Sequence, residues 1–158
     1  MLQNYNLIIA DTSCFILLDN INELEFLKKI SNNVCTTSII AKEFNKPLPP
    51  WIAVIEVDET PYFKVLEKDI DKGEASALIL CLNNKNSLLI LDDLKARKLA
   101  ELLHLDFTGT LGLILKAKQI GLISAIKPII EKIRSTNFRL SDDLLNNLLK
   151  ETNESYEP

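Results

Sequence analysis

The chain has 158 residues, 47% apolar and 25% charged, with only four glycines and a formal net charge of -4. That is the size of one ordinary domain with enough apolar material for a core, and the composition excludes a disordered or low-complexity chain. The acidic balance excludes a protein that holds nucleic acid by bulk positive charge, although metal ions on a carboxylate site would supply positive charge locally.

Residues 7–10 (LIIA) form a short apolar run, as in a strand buried on both faces. The run ends in Asp11-Thr12-Ser13, where Thr12 or Ser13 can cap the helix that follows. Residues 23–30 repeat apolar positions at helical spacing, and residues 34–37 suit a second strand. Residues 38–44 read as a helix with Ser38 as its cap, cut off by Lys46-Pro47-Leu48-Pro49-Pro50. Residues 51–57 (WIAVIEV) are a third strand candidate, and residues 61–69 a helix with proline in its first turn.

Asp71-Lys72-Gly73-Glu74 opens a strongly helical stretch. Residues 88–91 form another buried strand, ending in Asp92-Asp93, and residues 94–103 an amphipathic helix. Residues 105–107 suit a fifth short strand, after which Thr108-Gly109-Thr110 leads into a helix stopped at Gly121. Two more helices follow near 125–134 and 141–150, the second capped by Ser141. This alternation predicts an α/β domain with a mainly parallel sheet of about four to five strands over residues 1–150, then a disordered acidic tail over 151–158.

Cys14, Cys35 and Cys81 are odd in number, far apart and set in apolar runs, and His104 is the single histidine. A zinc site is therefore not expected, and buried reduced thiols are. The N-terminus lacks the pattern of a signal peptide and no apolar run is long enough to span a membrane, so a cytoplasmic protein is expected.

In an open α/β sheet, ligands bind beyond the carboxyl ends of the strands. Asp11, Thr12 and Ser13 follow the first strand there, and Asp92 and Asp93 the fourth. Glu43 lies in the helix after the second strand, and Glu74 opens the helix before the fourth. Glu74 also has a purely structural reading, since a carboxylate at a helix N-terminus is favoured by the helix dipole. If these acids converge, like charges at close range need a cation, and Mg²⁺ or Mn²⁺ suits hard oxygen ligands. Such an ion activates water and stabilises charge on a phosphate. No Ser-His-Asp or Cys-His set competes, and His104 reads as a surface or packing residue.

At these residues the chain resembles a known family. IADTSCFILL, TTSIIAKEF, DKGEASALIL, LLILDDLKARKLA and FTGTLGLILKAKQIG, in that order, are similar to the PIN-domain nucleases, over about residues 5–145. The likeness is nearest to a prokaryotic subgroup related to VapC-type toxins. It implies a three-layer α/β/α fold and a metal-dependent endoribonuclease that hydrolyses phosphodiester bonds of single-stranded RNA. In the toxin branch it also implies a homodimer and a small antitoxin protein that blocks the site.

By the same resemblance Asp11, Glu43, Glu74 and Asp93 are the catalytic acids, with Asp11, Glu74, Asp92 and Asp93 about the metal. Thr12 and Ser13 match the hydroxyl positions beside the first aspartate. Glu74 stands where aspartate is common, and the choice between Asp92 and Asp93 stays open, with Asp93 preferred. A catalytically inactive RNA-binding or regulatory module of the same fold is the alternative.

Other residues carry two readings each. Arg97 contacts RNA, or pairs with an acid to hold the site together. Thr110 belongs to a phosphate cradle at a helix N-terminus, or is a plain N-cap. Trp51 stacks on a base, or anchors the core or a dimer. Residues 138–149, with their amphipathic pattern, suit a partner-facing helix.

Overall fold

The computed structural model describes residues 2–154. After a 3-10 turn at Leu2–Asn4 the order is β1 (Leu7–Ala10), α1 (Thr12–Asn20), α2 (Glu25–Ile30), β2 (Val34–Thr37), α3 (Ser38–Phe44), β3 (Ala53–Ile55) and α4 (Pro61–Leu66). Then come α5 (Lys72–Asn83), β4 (Ser87–Ile90), α6 (Leu94–Leu102), β5 (Asp106–Thr108), α7 (Thr110–Gln119), α8 (Lys127–Arg134) and α9 (Asp142–Glu151). The five strands form one sheet in the order β3-β2-β1-β4-β5, and every pairing is parallel.

The expected α/β/α architecture follows from the strands themselves. All four residues of β2 and of β4 are buried, which requires cover on both sheet faces. Helix α5 supplies much of it, with Ala75, Ala77 and Leu78 fully buried, and packs on β1, β2 and β4 as well as on α3. Ile9 and Leu89, both 0% exposed, pair across the sheet centre, where truncation to alanine would cost about 2–5 kcal/mol. Cys14, Cys35 and Cys81 are buried free thiols.

Several local readings need correction. The cap of α1 is Asp11, whose carboxylate accepts from the Cys14 amide at 2.9 Å; Thr12 and Ser13 are already helical. The cap of α3 is Thr37, while the Ser38 hydroxyl donates to Glu56 at 2.7 Å. In both cases the strand runs straight into the helix, so the last extended residue takes the capping position.

The disordered tail expected over 151–158 begins too early. Glu151 closes α9, and the Glu154 carboxylate accepts from the amides of Ile126 (2.9 Å) and Lys127 (3.0 Å) at the start of α8. Glu154 thus caps a neighbouring helix; residues 155–158 lie outside the described residues. Among the described residues no helix is long and apolar enough to cross a membrane.

Candidate metal centre

The sheet order reverses at β1, since β2 lies on one side of it and β4 on the other. The carboxyl ends of β1 and β4 therefore open a crevice at the switch point, where ligands bind in such sheets. Asp11 and Asp92 emerge there. Asp11 is 3% exposed, and its Oδ2 accepts a long hydrogen bond of 3.5 Å from the Asp92 amide. Burial pushes the Asp11 carboxyl up to about 7; the bonds from Cys14 and Asp92 amides oppose the rise, and the charges of Asp92 and Glu74 reinforce it.

Glu74 reaches the crevice from the first turn of α5. Asp71 and Glu74 form a reciprocal capping box, with the Glu74 amide donating to Asp71 at 2.8 Å and the Asp71 amide to Glu74 at 3.2 Å. Burial and the nearby Asp71 charge raise the Glu74 carboxyl to about 7, with Asp93 and Glu43 adding to the rise. The carboxylates thus feel one another across elements far apart in sequence. The capping box is legible as Asp-x-x-Glu, and it gives Glu74 a structural duty alongside any chemistry.

Glu43 approaches from α3. Its Oε2 accepts from the Thr12 hydroxyl at 2.7 Å. It lies flush against α5 at Gly73, where a Cβ would stand 2.2 Å from Glu43 Oε2. The buried hydroxyls of Thr37 and Ser76, 2.6 Å apart, tie the start of α3 to α5 and so set Glu43 beside Glu74. Ser13 is exposed on the first turn of α1.

The aspartate pair divides its labour. Asp93 caps α6 through Oδ1, which accepts from the Ala96 amide at 2.8 Å, and is exposed. Asp92 is gripped on both oxygens: Thr110 donates its amide to Oδ1 at 2.8 Å and its hydroxyl to Oδ2 at 2.6 Å. Arg97 adds a guanidinium 3.7 Å from Asp92 Oδ1 while its Nε donates to the Leu91 carbonyl at 2.6 Å. The start of α7, read in the sequence as a phosphate cradle or a cap at Thr110, therefore holds Asp92 instead. Gly109 occupies the capping position, and Thr110 is 1% exposed.

His104 stands at the amino ends of β4 and β5, away from the crevice, exposed and in a left-handed conformation (φ 54°). Trp51 is half-buried against the core and donates to Glu25 at 3.3 Å. Lys46 pairs with Asp19.

The groups at the crevice able to ligate a cation are oxygen donors, beside the ammonium groups of Lys68, Lys95 and Lys98, and two of the carboxyls carry charge only reluctantly at neutral pH. That donor chemistry fits a hard divalent cation. Among the described residues no three His, Cys, Asp or Glu side chains are drawn into a ready-made metal cage. Mg²⁺, which keeps several waters and takes only one or two carboxylates directly, does not require one.

A wholly parallel sheet under helices, with carboxylates gathered at its switch point, defines a nuclease-type α/β/α domain. The family model described as DUF3368, a PIN domain, matches residues 7–154, and the chain belongs to that PIN-domain family. PIN domains are in general nucleases, and typically use divalent metals. No curated protein and no solved structure matches the chain.

Proposed function

We propose that the protein is a Mg²⁺- or Mn²⁺-dependent endoribonuclease that cuts single-stranded RNA. The observation that carries the reading is the buried Asp11 carboxylate facing the charges of Asp92 and Glu74, raised to about 7 by burial and by that crowding. Carboxylates so placed are costly for a fold and gain a purpose with a cation between them.

When bound, a hard divalent ion neutralises the acids and stabilises the charge that builds on a phosphate during displacement. Asp11, Glu74 and Asp93 would surround it, one or two of them as direct ligands. Asp93 is favoured over Asp92 because its Oδ2 is left without a hydrogen bond by the α6 cap, whereas both oxygens of Asp92 are engaged by Thr110. Asp92 then acts as a brace that fixes the floor of the crevice. Thr12 orients Glu43 through Oε2, leaving Oε1 to accept a proton from the attacking water.

The toxin reading, with a small antitoxin and a homodimer, rests on the subgroup likeness. A short partner gene directly upstream supports it, and a solitary gene counts against it. All the acidic positions are filled, which favours a cutting enzyme over the inactive binding module.

The deciding experiment incubates single-stranded RNA with the protein and Mn²⁺, beside EDTA and Asp11→Asn controls. Cutting by the wild type alone is expected, with a loss of at least about a hundredfold in the variant. Cutting that survives both controls removes the mechanism.

A further inference from the structure

A second cavity adjoins the carboxylate crevice on the far side of Asp92. The crevice groove, about 870 Å³, is lined by Glu74, Asp92 and Asp93 together with Lys68, Lys95 and Lys98. The second, about 530 Å³, lies between the end of β5, the start of α7, and α9 with the loop before it. Its walls include Phe107, Leu111, Phe138 and Leu144, with Arg139 and the Asp92–Arg97 pair also lining it. We propose that this cleft is a subsite for one unpaired nucleobase of an RNA strand whose phosphate lies at the carboxylates. The proposal rests on the nuclease reading above and names where its substrate is gripped.

Three features favour a nucleotide. The volume falls within the roughly 300–1,000 Å³ of small-ligand pockets. Phe138 lines the cleft, is 39% exposed and, among the described residues, is in no ring pair, which leaves an aromatic surface for a base to stack on. Thr108 also lines the cleft, and its hydroxyl has only a long 3.4 Å bond, to the Gly109 carbonyl.

Charge completes the case. The acidic centre repels phosphates, so a strand needs cations on either side of it. Lys68, Lys95 and Lys98 stand on one side. On the other side Arg139 is exposed and in no ion pair among the described residues. A strand passing over Asp92 thus meets basic, acidic and basic-aromatic surface in turn. An apolar peptide would use the cleft walls but leave Arg139 without a partner.

The test measures binding by fluorescence anisotropy in an Asp11→Asn background, which keeps the strand whole. The probe is a labelled single-stranded RNA of about ten nucleotides, alongside copies each carrying one abasic residue. Phe138→Ala is expected to weaken binding about tenfold and Phe138→Trp to restore it. One abasic position should cost as much in the Phe138 protein and nothing further in the alanine variant. Unchanged affinity on Phe138→Ala, or a loss that tryptophan does not restore, overturns the subsite. So does a hydrogen-exchange map in which a bound protein or peptide, and not RNA, protects residues 107–112 and 138–148.

The parent reading is checked separately by wild-type cleavage with Mn²⁺. Binding that follows Phe138 without any cutting sinks the nuclease reading alone. Metal-dependent cutting whose KM ignores Phe138→Ala sinks the subsite alone.

Discussion

Asp92 and Thr110 meet through two hydrogen bonds, amide to Oδ1 at 2.8 Å and hydroxyl to Oδ2 at 2.6 Å, across 18 residues of chain. This clamp joins the end of β4 to the start of α7 and spends the positive end of that helix on a carboxylate of the protein itself. Thr110→Val keeps the shape and the amide bond but leaves Asp92 Oδ2 without its partner. A loss of about 1–3 kcal/mol is expected by chemical denaturation, and less than 1 kcal/mol for Thr110→Ser, which retains the hydroxyl. Equal losses for the two variants would mean that packing of the methyl group, and not the clamp, is what matters.

Gly109 makes room for the same brace. Its φ of -89° and ψ of 170° suit any residue, so the demand is for space. A Cβ would lie 1.9 Å from Arg97 Nη2 and 2.9 Å from Asp92 Oδ1. Gly109→Ala should displace the guanidinium and lower RNA cutting about tenfold, and Arg97→Ala should do the same. Because both act through one contact, the double variant should be no worse than the poorer single one. Strictly additive losses would separate the two residues and break the argument.

The carboxyl groups predict an inverted pH dependence for the metal-free protein. Asp11 rises from an ordinary 3.8 to about 7 and Glu74 from 4.5 to about 7, so the folded state holds these protons more tightly than the unfolded chain does. Their contribution to stability is complete below about pH 4 and is lost as pH rises through about 7. The metal-free wild type should therefore melt at a lower temperature at about pH 8 than at about pH 5.5. Asp11→Asn keeps the cap on Cys14, removes one of the crowded charges, and should melt above the wild type at the higher pH, by about 2–4 °C per kcal/mol. A variant that melts lower at both pH values would show that the Asp11 charge is not the source of the strain.

Metal addition should reverse that order. With Mn²⁺ at about a hundredfold over its Kd, the wild type gains about 2.7 kcal/mol at neutral pH. Asp11→Asn, lacking one anionic ligand, should gain far less. Differential scanning calorimetry reads this without reference to cutting, and equal gains in both proteins would place the ion elsewhere.

Much of the fold was legible because its elements are local. The apolar run at 7–10 coincides with β1, since a strand covered on both faces favours consecutive apolar side chains, and the β-prone VCTT at 34–37 coincides with β2. The end of each helix at a proline-rich loop or at Gly121 was readable for equally local reasons. The Ser141 cap of α9 is equally local, whereas the caps of α1 and α3 fall on Asp11 and Thr37, because neighbouring residues are all competent and only the direction in which the strand enters the helix selects among them.

By itself the sequence determined an alternation of strands and helices and the presence of acids just beyond two strand ends, since hydrophobic period and strand-end chemistry are written in consecutive residues. The tertiary structure alone decided what those acids do to one another. Sheet order β3-β2-β1-β4-β5 brings Asp11 beside Asp92, the clamp from Thr110 separates the duties of Asp92 and Asp93, and the space at Gly109 and Gly73 admits Arg97 and Glu43. Phe138 and Arg139 gain a place near the crevice only because α9 folds back over the end of β5. Distances of this kind join residues tens of positions apart, and strand pairing and helix packing fix them, which no local pattern encodes.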